Sequence, residues 1–456
     1  MSAEQKVQKT KANGITEGSI FGQLLLFFFP ILFGTFFQQL YNTADAVVVG
    51  RFVGKQALAA VGGTTSTLIN LMVGFFVGLS SGATVVISQY YGAKKADKVH
   101  WAVHTSVAFS VIGGVLFMAV GLVGARWALT AMHTPEDVMD HAVTYIRIYF
   151  LGMVPNLLYN MGAGILRAVG DSRRPLYFLI GSSISNILLD IFFVVWLKMG
   201  VAGVAWATFA AQGAASVLAF LTLLHRIKQL RSTEPYAKFS AEMLVQVTIV
   251  AIPSILQQCF VSIGNLFVQS AVNSYGSAVV AGFSACQKLN TFAVTCMTTL
   301  SNGVSSFTAQ NLGADKKERV SEGFRAGALL GILVCVPFFL FYFFFGRTAM
   351  GLFLDESSAA AIQAGVDYMH IVTPFYFIVT IKVMCDGVLR GGSAMLYFMT
   401  TTFTDLFLRV ALAFLFAKGL GLGATGIWMA WPFGWTLSAL LSIFFYRLKP
   451  WLKKDL

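Results

Sequence analysis

The stretch SSGATVVISQYYGAKKADKV (80–99) occurs a second time in the chain, as SNGVSSFTAQNLGADKKERV (301–320), and this repetition decides the fold. The two stretches align without gaps and are identical at seven of 20 positions. Other segments repeat at the same spacing of about 220 residues: 165–171 with 388–393, and 200–206 with 423–428. The 456-residue chain is therefore predicted to contain two similar halves.

Long apolar runs fill both halves. The chain is 57% hydrophobic and 11% charged, and about 20 consecutive apolar residues are enough to cross a bilayer as a helix. Continuous runs argue against a β-barrel, whose strands alternate in polarity. We predict an all-α polytopic membrane protein with twelve transmembrane helices in two six-helix lobes, related by a pseudo-two-fold axis along the membrane normal. The predicted spans are 20–50, 56–90, 98–126, 136–169, 174–198, 201–225, 240–272, 277–312, 319–347, 359–391, 396–417 and 423–446.

The distribution of Lys and Arg predicts the orientation in the membrane. With the N-terminus inside, 21 of the 32 basic residues fall in inner segments, six in outer segments and five within spans. This positive-inside bias places both termini in the cytoplasm and the chain in the cell inner membrane. The predicted organisation is an N-terminal tail (1–19), an N-lobe with helices 1–6 (20–225), a cytoplasmic linker (226–239), a C-lobe with helices 7–12 (240–446) and a C-terminal tail (447–456).

Several function classes are not supported by the sequence. The net charge of +12 follows from the inner loops and does not indicate nucleic-acid binding. No P-loop is present, so ATP is not expected to be used by this chain. No metal or nucleophile constellation supports an enzyme, and no cofactor is expected. The five cysteines, which lack metal or disulfide spacing, are predicted to be free core thiols.

Four polar residues share one predicted layer in the outer half of the first lobe: Asp45, Asn186, Asp190 and Thr208. Counting from the outer ends of helices 1, 5 and 6 places both carboxylates and the hydroxyl roughly 9–15 Å deep. A buried carboxylate in a membrane costs about 2.5–3.5 kcal/mol and is therefore usually functional. Oxygen ligands suit a small cation, and two close carboxylates can share a proton. The alternative is structural, with Asp45 paired to Arg51 and the others capping or connecting helices.

The second lobe is predicted to lack this layer. The repeat places Val268 opposite Asp45, and we expected the further equivalents of Asn186, Asp190 and Thr208 to be Asp405, Arg409 and Trp431. Asp405 with Arg409, and Lys382 with Asp386, are one helical turn apart and could neutralise each other. Side chains of this group that face the lumen could instead contact substrate.

The motifs together resemble a known family. YNTADAVVVGRFVG in helix 1, GLSSGATVVISQYYGA in helix 2, LRAVGDSRRPLYF after helix 4, NILLD in helix 5 and AGVAWAT in helix 6 resemble the multidrug and toxic compound extrusion (MATE) family of the MOP flippase superfamily, closer to its DinF-like branch than to its NorM-like branch. The resemblance covers nearly the whole chain. It implies a twelve-helix, two-lobed, V-shaped antiporter, with an N-lobe cation site at Asp45, Asn186, Asp190 and Thr208. NorM-like members carry a Glu on helix 7, where this chain has Gln257 and Gln258, which argues against a C-lobe ion site of that type.

These observations predict a monomeric secondary active antiporter that exports amphipathic, cationic organic compounds in exchange for H⁺ or Na⁺ by alternating access. Its partners are the lipid bilayer and small organic substrates, and the polar residues of the second lobe are candidates for substrate contact: Gln257, Gln258, Lys288, Lys382, Asp386, Asp405 and Arg409. The alternative is a flippase for lipid-linked precursors, which needs a strongly cationic cavity, and Lys288, Lys382 and Arg409 keep that alternative open.

Overall fold

The computed structural model describes residues 15–62, 64–132, 134–230, 239–354 and 358–452, and all regular structure in these ranges is helical. The α-helices are α1 (Ile20–Phe52), α2 (Lys55–Gly62), α3 (Thr64–Gly92), α4 (Ala96–Ala131), α5 (Glu136–Leu151), α6 (Met153–Ala168), α7 (Arg173–Ile191), α8 (Val201–Lys228), α9 (Ala241–Asn273), α10 (Ser277–Gly313), α11 (Lys317–Phe344), α12 (Gly346–Met350), α13 (Ala359–Val372), α14 (Tyr376–Gly391), α15 (Met395–Phe414) and α16 (Gly423–Leu448). Most of the N-terminal tail, the linker residues 231–238 and residues 453–456 lie outside the described ranges.

The helices confirm a multi-pass membrane protein. Ten helical segments of the described chain are long and apolar enough to cross a membrane. The other two predicted spans are also helical, one as α5 and α6 on either side of Gly152, and one as the 37-residue α10. Helix α10 is less apolar because Ser, Thr, Asn and Gln recur along it. The predicted class, twelve transmembrane helices in two lobes, is therefore confirmed.

The chain forms two compact units. The N-unit is Phe29–Ile255, and the C-unit is Met1–Phe28 together with Leu256–Leu456. Both boundaries fall inside long helices, near Pro30 in α1 and near Pro253 in α9. A proline inside a helix lacks the N–H of one backbone hydrogen bond and weakens the preceding turn. The sequence-based boundaries of the lobes, 20–225 and 240–446, stay a prediction.

The internal repeat is visible in the backbone of the two halves. The π-helical turns Phe192–Trp196 and Leu415–Gly419 lie 223 residues apart. The same offset separates Pro30 from Pro253. It also separates two pairs of residues with positive φ: Gly170 with Ser393, and Gly200 with Gly423. Rare backbone features of this kind fix the register between repeats more firmly than side-chain identity does.

This register corrects part of the predicted equivalence. An offset of 223 pairs Asn186 with Arg409 and Asp190 with Ala413, whereas the sequence-based alignment had paired them with Asp405 and Arg409. That alignment was wrong by four residues, about one helical turn, because it matched polar residues to polar residues. The pairs Asp45 with Val268 and Thr208 with Trp431 agree with the offset.

Candidate cation-coupling site

Two carboxylates meet in the interior of the N-unit. Asp45 lies on α1 and is 6% exposed, while Asp190 lies at the end of α7 and is fully buried. Their side chains lie within hydrogen-bonding reach of each other. No Lys, Arg or His of the described chain forms an ion pair with either one. The predicted pair of Asp45 with Arg51 is therefore not formed, and the two carboxylates face each other.

The amide and the hydroxyl predicted for the same layer are joined as well. Asn186 lies one turn before Asp190, and its Nδ2 donates to Thr208 Oγ1 at 3.3 Å. Asn186 and Thr208 are 2% and 7% exposed. The structure thus brings the four predicted N-lobe residues together in pairs, with Asn186 and Asp190 on the same face of α7.

The unpaired atoms of this site are all acceptors. Asp45 Oδ1, Asn186 Oδ1 and both carboxylate oxygens of Asp190 are buried, and none receives a hydrogen bond from the described residues. Buried acceptors without donors are rare in folded proteins and need an explanation. Carboxylate and amide oxygens are ligands for hard cations, and a carboxylate pair also holds a proton. The arrangement is therefore suited to bind H⁺ or a small metal cation.

Packing fixes the backbone around this site. A core cluster of small and branched residues, including Val48 and Val49 of α1, Val194 of the π-helical turn, and Val204 and Ala205 of α8, surrounds it. The π-helical turn begins two residues after Asp190. Such turns interrupt the regular helical hydrogen bonding and are frequent at functional sites. The carboxylate of Asp190 is thus presented from the last regular turn of α7.

Sequence reasoning missed two tyrosines next to the carboxylates. Tyr145 of α5 is buried and interacts electrostatically with both Asp45 and Asp190. Tyr41 lies one turn before Asp45 on α1, interacts with it, and is hydrogen-bonded to Gln212 of α8. The spacing of Tyr41 and Asp45 was a usable signal, because residues four apart on a helix share a face. Tyr145 gave no such signal, since it lies on a helix without other predicted site residues.

The C-unit holds its charges differently. Lys382 Nζ of α14 lies 2.9 Å from Asp386 Oδ2, and both residues are buried. Asp386 Oδ1 also accepts hydrogen bonds from Thr401 at 3.0 Å and from Ser442 at 2.9 Å. This carboxylate is fully partnered, so the expected neutralisation within α14 takes place.

The second predicted pair of the C-unit does not form. Asp405 and Arg409 of α15 make no ion pair within the described chain. The guanidinium of Arg409 instead lies over the ring of Trp431, 4.4 Å from its centroid. Both residues still interact electrostatically with Lys382, so Lys382, Asp386, Asp405 and Arg409 form one buried group.

The other three candidates are placed less deeply. Lys288 is exposed and lies over the ring of Phe353, with 5.6 Å between its Nζ and the ring centroid. Gln257 and Gln258 are half-buried on α9. Their part in binding substrate stays a prediction.

A repeated, all-helical membrane domain with an unpaired carboxylate site defines the class of this protein, and comparison with known proteins gives the family. The MatE family model matches residues 30–192 and, a second time, residues 253–415. The chain belongs to the MatE family. The two matched segments are again offset by 223 residues, which agrees with the register of the π-helical turns.

Similar proteins extend over nearly the whole chain. The probable multidrug resistance proteins YpnP and YoeA of Bacillus subtilis (strain 168) are 28% and 27% identical to it, and the alignments cover 97% and 96% of this chain and 98% and 96% of theirs. A solved outward-facing multidrug resistance MATE family transporter of the MOP superfamily has a TM-score of 0.88 at 22% identity, covering 96% of this chain and 98% of that one. The structural similarity confirms the fold.

Proposed function

We propose that this chain is a secondary active multidrug exporter that exchanges amphipathic, cationic organic compounds for H⁺ or Na⁺ by alternating access, with one chain as the functional unit. The observation that carries the proposal is the buried pair of Asp45 and Asp190, which has no cationic partner in the described chain. Membership in the MatE family and the names of the relatives support the export of drugs.

The site residues have distinct parts in this proposal. Asp45 and Asp190 take up and release the coupling ion, because they are the only site groups that change charge near neutral pH once coupled and buried. Asn186 and Thr208 orient the site, and the free amide oxygen of Asn186 is a further ligand. One elementary charge moved across 100 mV supplies about 2.3 kcal/mol, which drives export together with the chemical gradient.

Purified protein in proteoliposomes provides the test. Ethidium transport is measured with a pH gradient alone, a Na⁺ gradient alone and no gradient, for the wild type and for Asp190→Asn. We expect one gradient to drive transport in the wild type and neither to drive it in the variant. Wild-type transport that ignores both gradients contradicts the proposal. Movement of a lipid-linked precursor without ethidium transport replaces it with the flippase.

The proposed orientation, with both termini in the cytoplasm of a cell inner membrane, has its own test. Gln229 at the end of α8 and Met199 between the π-helical turn and α8 are both exposed. Single cysteines at these positions, in a variant without the five native cysteines, should react with an impermeant maleimide from opposite sides, Gln229→Cys from the cytoplasm. Labelling of both from outside reverses the orientation.

A further inference from the structure

The C-unit contains a group of buried hydrogen-bond donors that the proposed transport cycle does not use. Tyr368 of α13, Arg409 of α15 and Trp431 of α16 are 0%, 4% and 3% exposed. The Tyr368 hydroxyl, Arg409 Nε and Trp431 Nε1 are each buried and find no acceptor in the described chain. Donors of this kind are expensive to bury without a partner, at about 1–3 kcal/mol each.

The three donors are arranged around one indole ring. The guanidinium of Arg409 lies 4.4 Å from the centroid of Trp431, and the ring of Tyr368 lies edge-on to the same indole with 6.2 Å between centroids. Tyr368 also interacts electrostatically with Arg409. Three donors from three helices thus surround a common region, one of them a permanent cation. This is the chemistry that recognises an anion.

The internal repeat supports the same conclusion independently. With the offset of 223 residues, the three donors are the equivalents of Tyr145, Asn186 and Thr208 in the N-unit. The carboxylates of that site are replaced by Val268 and Ala413. The C-unit therefore keeps the position of the cation site, loses both of its negative charges and gains a positive one.

The neighbouring charges leave Arg409 available. Lys382 is paired with Asp386, and Arg390 adds a further cation that interacts with Asp386. The group thus has three cations against the two carboxylates Asp386 and Asp405. Asp405, one turn before Arg409, is the internal group that could compete for it, because its buried Oδ1 has no donor in the described chain.

We propose that Tyr368, Arg409 and Trp431 form a binding site for a small monovalent anion, either a free halide or a carboxylate group. The inference does not depend on the proposed transport function, since it concerns binding to the purified protein. A halide and a carboxylate share the same requirements, namely a cation and convergent neutral donors, so the experiment separates these two sources.

The test measures the apparent unfolding temperature of the purified full-length chain in chloride, in acetate and in bulky isethionate at equal ionic strength. A bound anion should raise this temperature by about 2 °C in a saturable way. Stabilisation by chloride alone identifies a halide site, and stabilisation by acetate identifies a carboxylate site. Equal unfolding temperatures in all three salts overturn the proposal.

Variants locate the effect. Trp431→Phe and Tyr368→Phe each remove one donor and keep the ring, so both should fold and lose most of the stabilisation by the anion. Tyr376→Phe is the matched control, because the Tyr376 hydroxyl already donates to Asn290 Oδ1 at 3.0 Å. It should lower the unfolding temperature in every salt and leave the difference between salts unchanged. A difference that persists in both donor variants contradicts the assignment.

Two further measurements exclude an internal pair and a remote site. If Asp405 satisfied Arg409 in solution, the anion would stabilise Asp405→Asn but not the wild type, and that result would overturn the proposal. We expect stabilisation in both, and a larger effect in the variant. Crystals grown in bromide should show an anomalous peak within hydrogen-bonding distance of Trp431 Nε1. Bromide peaks only elsewhere overturn the proposal.

Discussion

The two halves of this protein share a backbone plan and place opposite charges at equivalent positions. In the N-unit, two buried carboxylates face each other, and the acceptors beside them lack donors. In the C-unit, the same region holds a guanidinium stacked on an indole, and the donors beside it lack acceptors. The equivalent sets are Asp45, Tyr145, Asn186, Asp190 and Thr208 in the first half and Val268, Tyr368, Arg409, Ala413 and Trp431 in the second.

The comparison teaches where the sign of the ligand is encoded. The register of the helices and the π-helical turn before the following helix are the same in both halves. Only the side chains differ, so a duplicated scaffold can specialise by substitution at a few buried positions. The halves also differ in pairing, because Lys382 neutralises Asp386 in the C-unit while Asp45 and Asp190 have no cationic partner. We therefore expect the paired charges to matter for stability and the unpaired ones for coupling.

The largest effect is expected from breaking the pair in the C-unit. Lys382→Met leaves the buried carboxylate of Asp386 without its cation, which should cost about 3–5 kcal/mol of stability. The double variant Lys382→Met/Asp386→Leu removes both charges and should recover most of that loss. Denaturation in detergent monitored by gel filtration measures both. If the folded double variant lost ethidium transport, the pair would contact substrate, as the sequence left open.

The next effect is expected from the unpaired carboxylates of the N-unit. Asp45→Asn and Asp190→Asn should each reduce gradient-driven efflux about a hundredfold, equivalent to about 2.7 kcal/mol. The amounts of folded protein should stay the same or rise, because removing a buried charge lowers the cost of insertion. Asp405→Asn in the C-unit is the matched control and should retain most of the efflux. Loss of efflux in Asp405→Asn with full activity in Asp190→Asn would assign coupling to the wrong half.

The sequence predicted the fold and part of the site for physical reasons. Apolar run length and the repeat determine the number and order of helices, and depth along a helix places Asp45 and Asp190 in one layer. The position of Tyr145 could not be predicted, because neighbours on different helices depend on packing that helical periodicity does not specify. The register of Arg409 was also missed, because only the backbone shows where the repeated π-helical turn lies.

A smaller effect is expected from the residues that orient the carboxylates. Asn186→Ala removes both the hydrogen bond to Thr208 and the free amide oxygen, and should reduce efflux about tenfold, or about 1.4 kcal/mol. Thr208→Ser keeps the accepting hydroxyl and should retain nearly full activity. Efflux measured in everted vesicles under the coupling gradient gives both values. If Asn186→Ala transported like the wild type, the amide would serve only to connect α7 with α8.

The smallest effect sharpens the comparison at the tyrosines. The Tyr145 hydroxyl lies near both carboxylates and can donate to whichever of them is ionised, so Tyr145→Phe should slow efflux about threefold, the value of one hydrogen bond. The loss should be largest at high pH, where the carboxylates most need a donor, and should shrink as the pH falls and protons replace it. Tyr376→Phe in the C-unit removes a hydroxyl that serves Asn290, so it should lower stability without changing the pH profile of efflux. Identical pH profiles for Tyr145→Phe and the wild type would make Tyr145 a packing residue, and the coupling site would then consist of the four residues on α1, α7 and α8 alone.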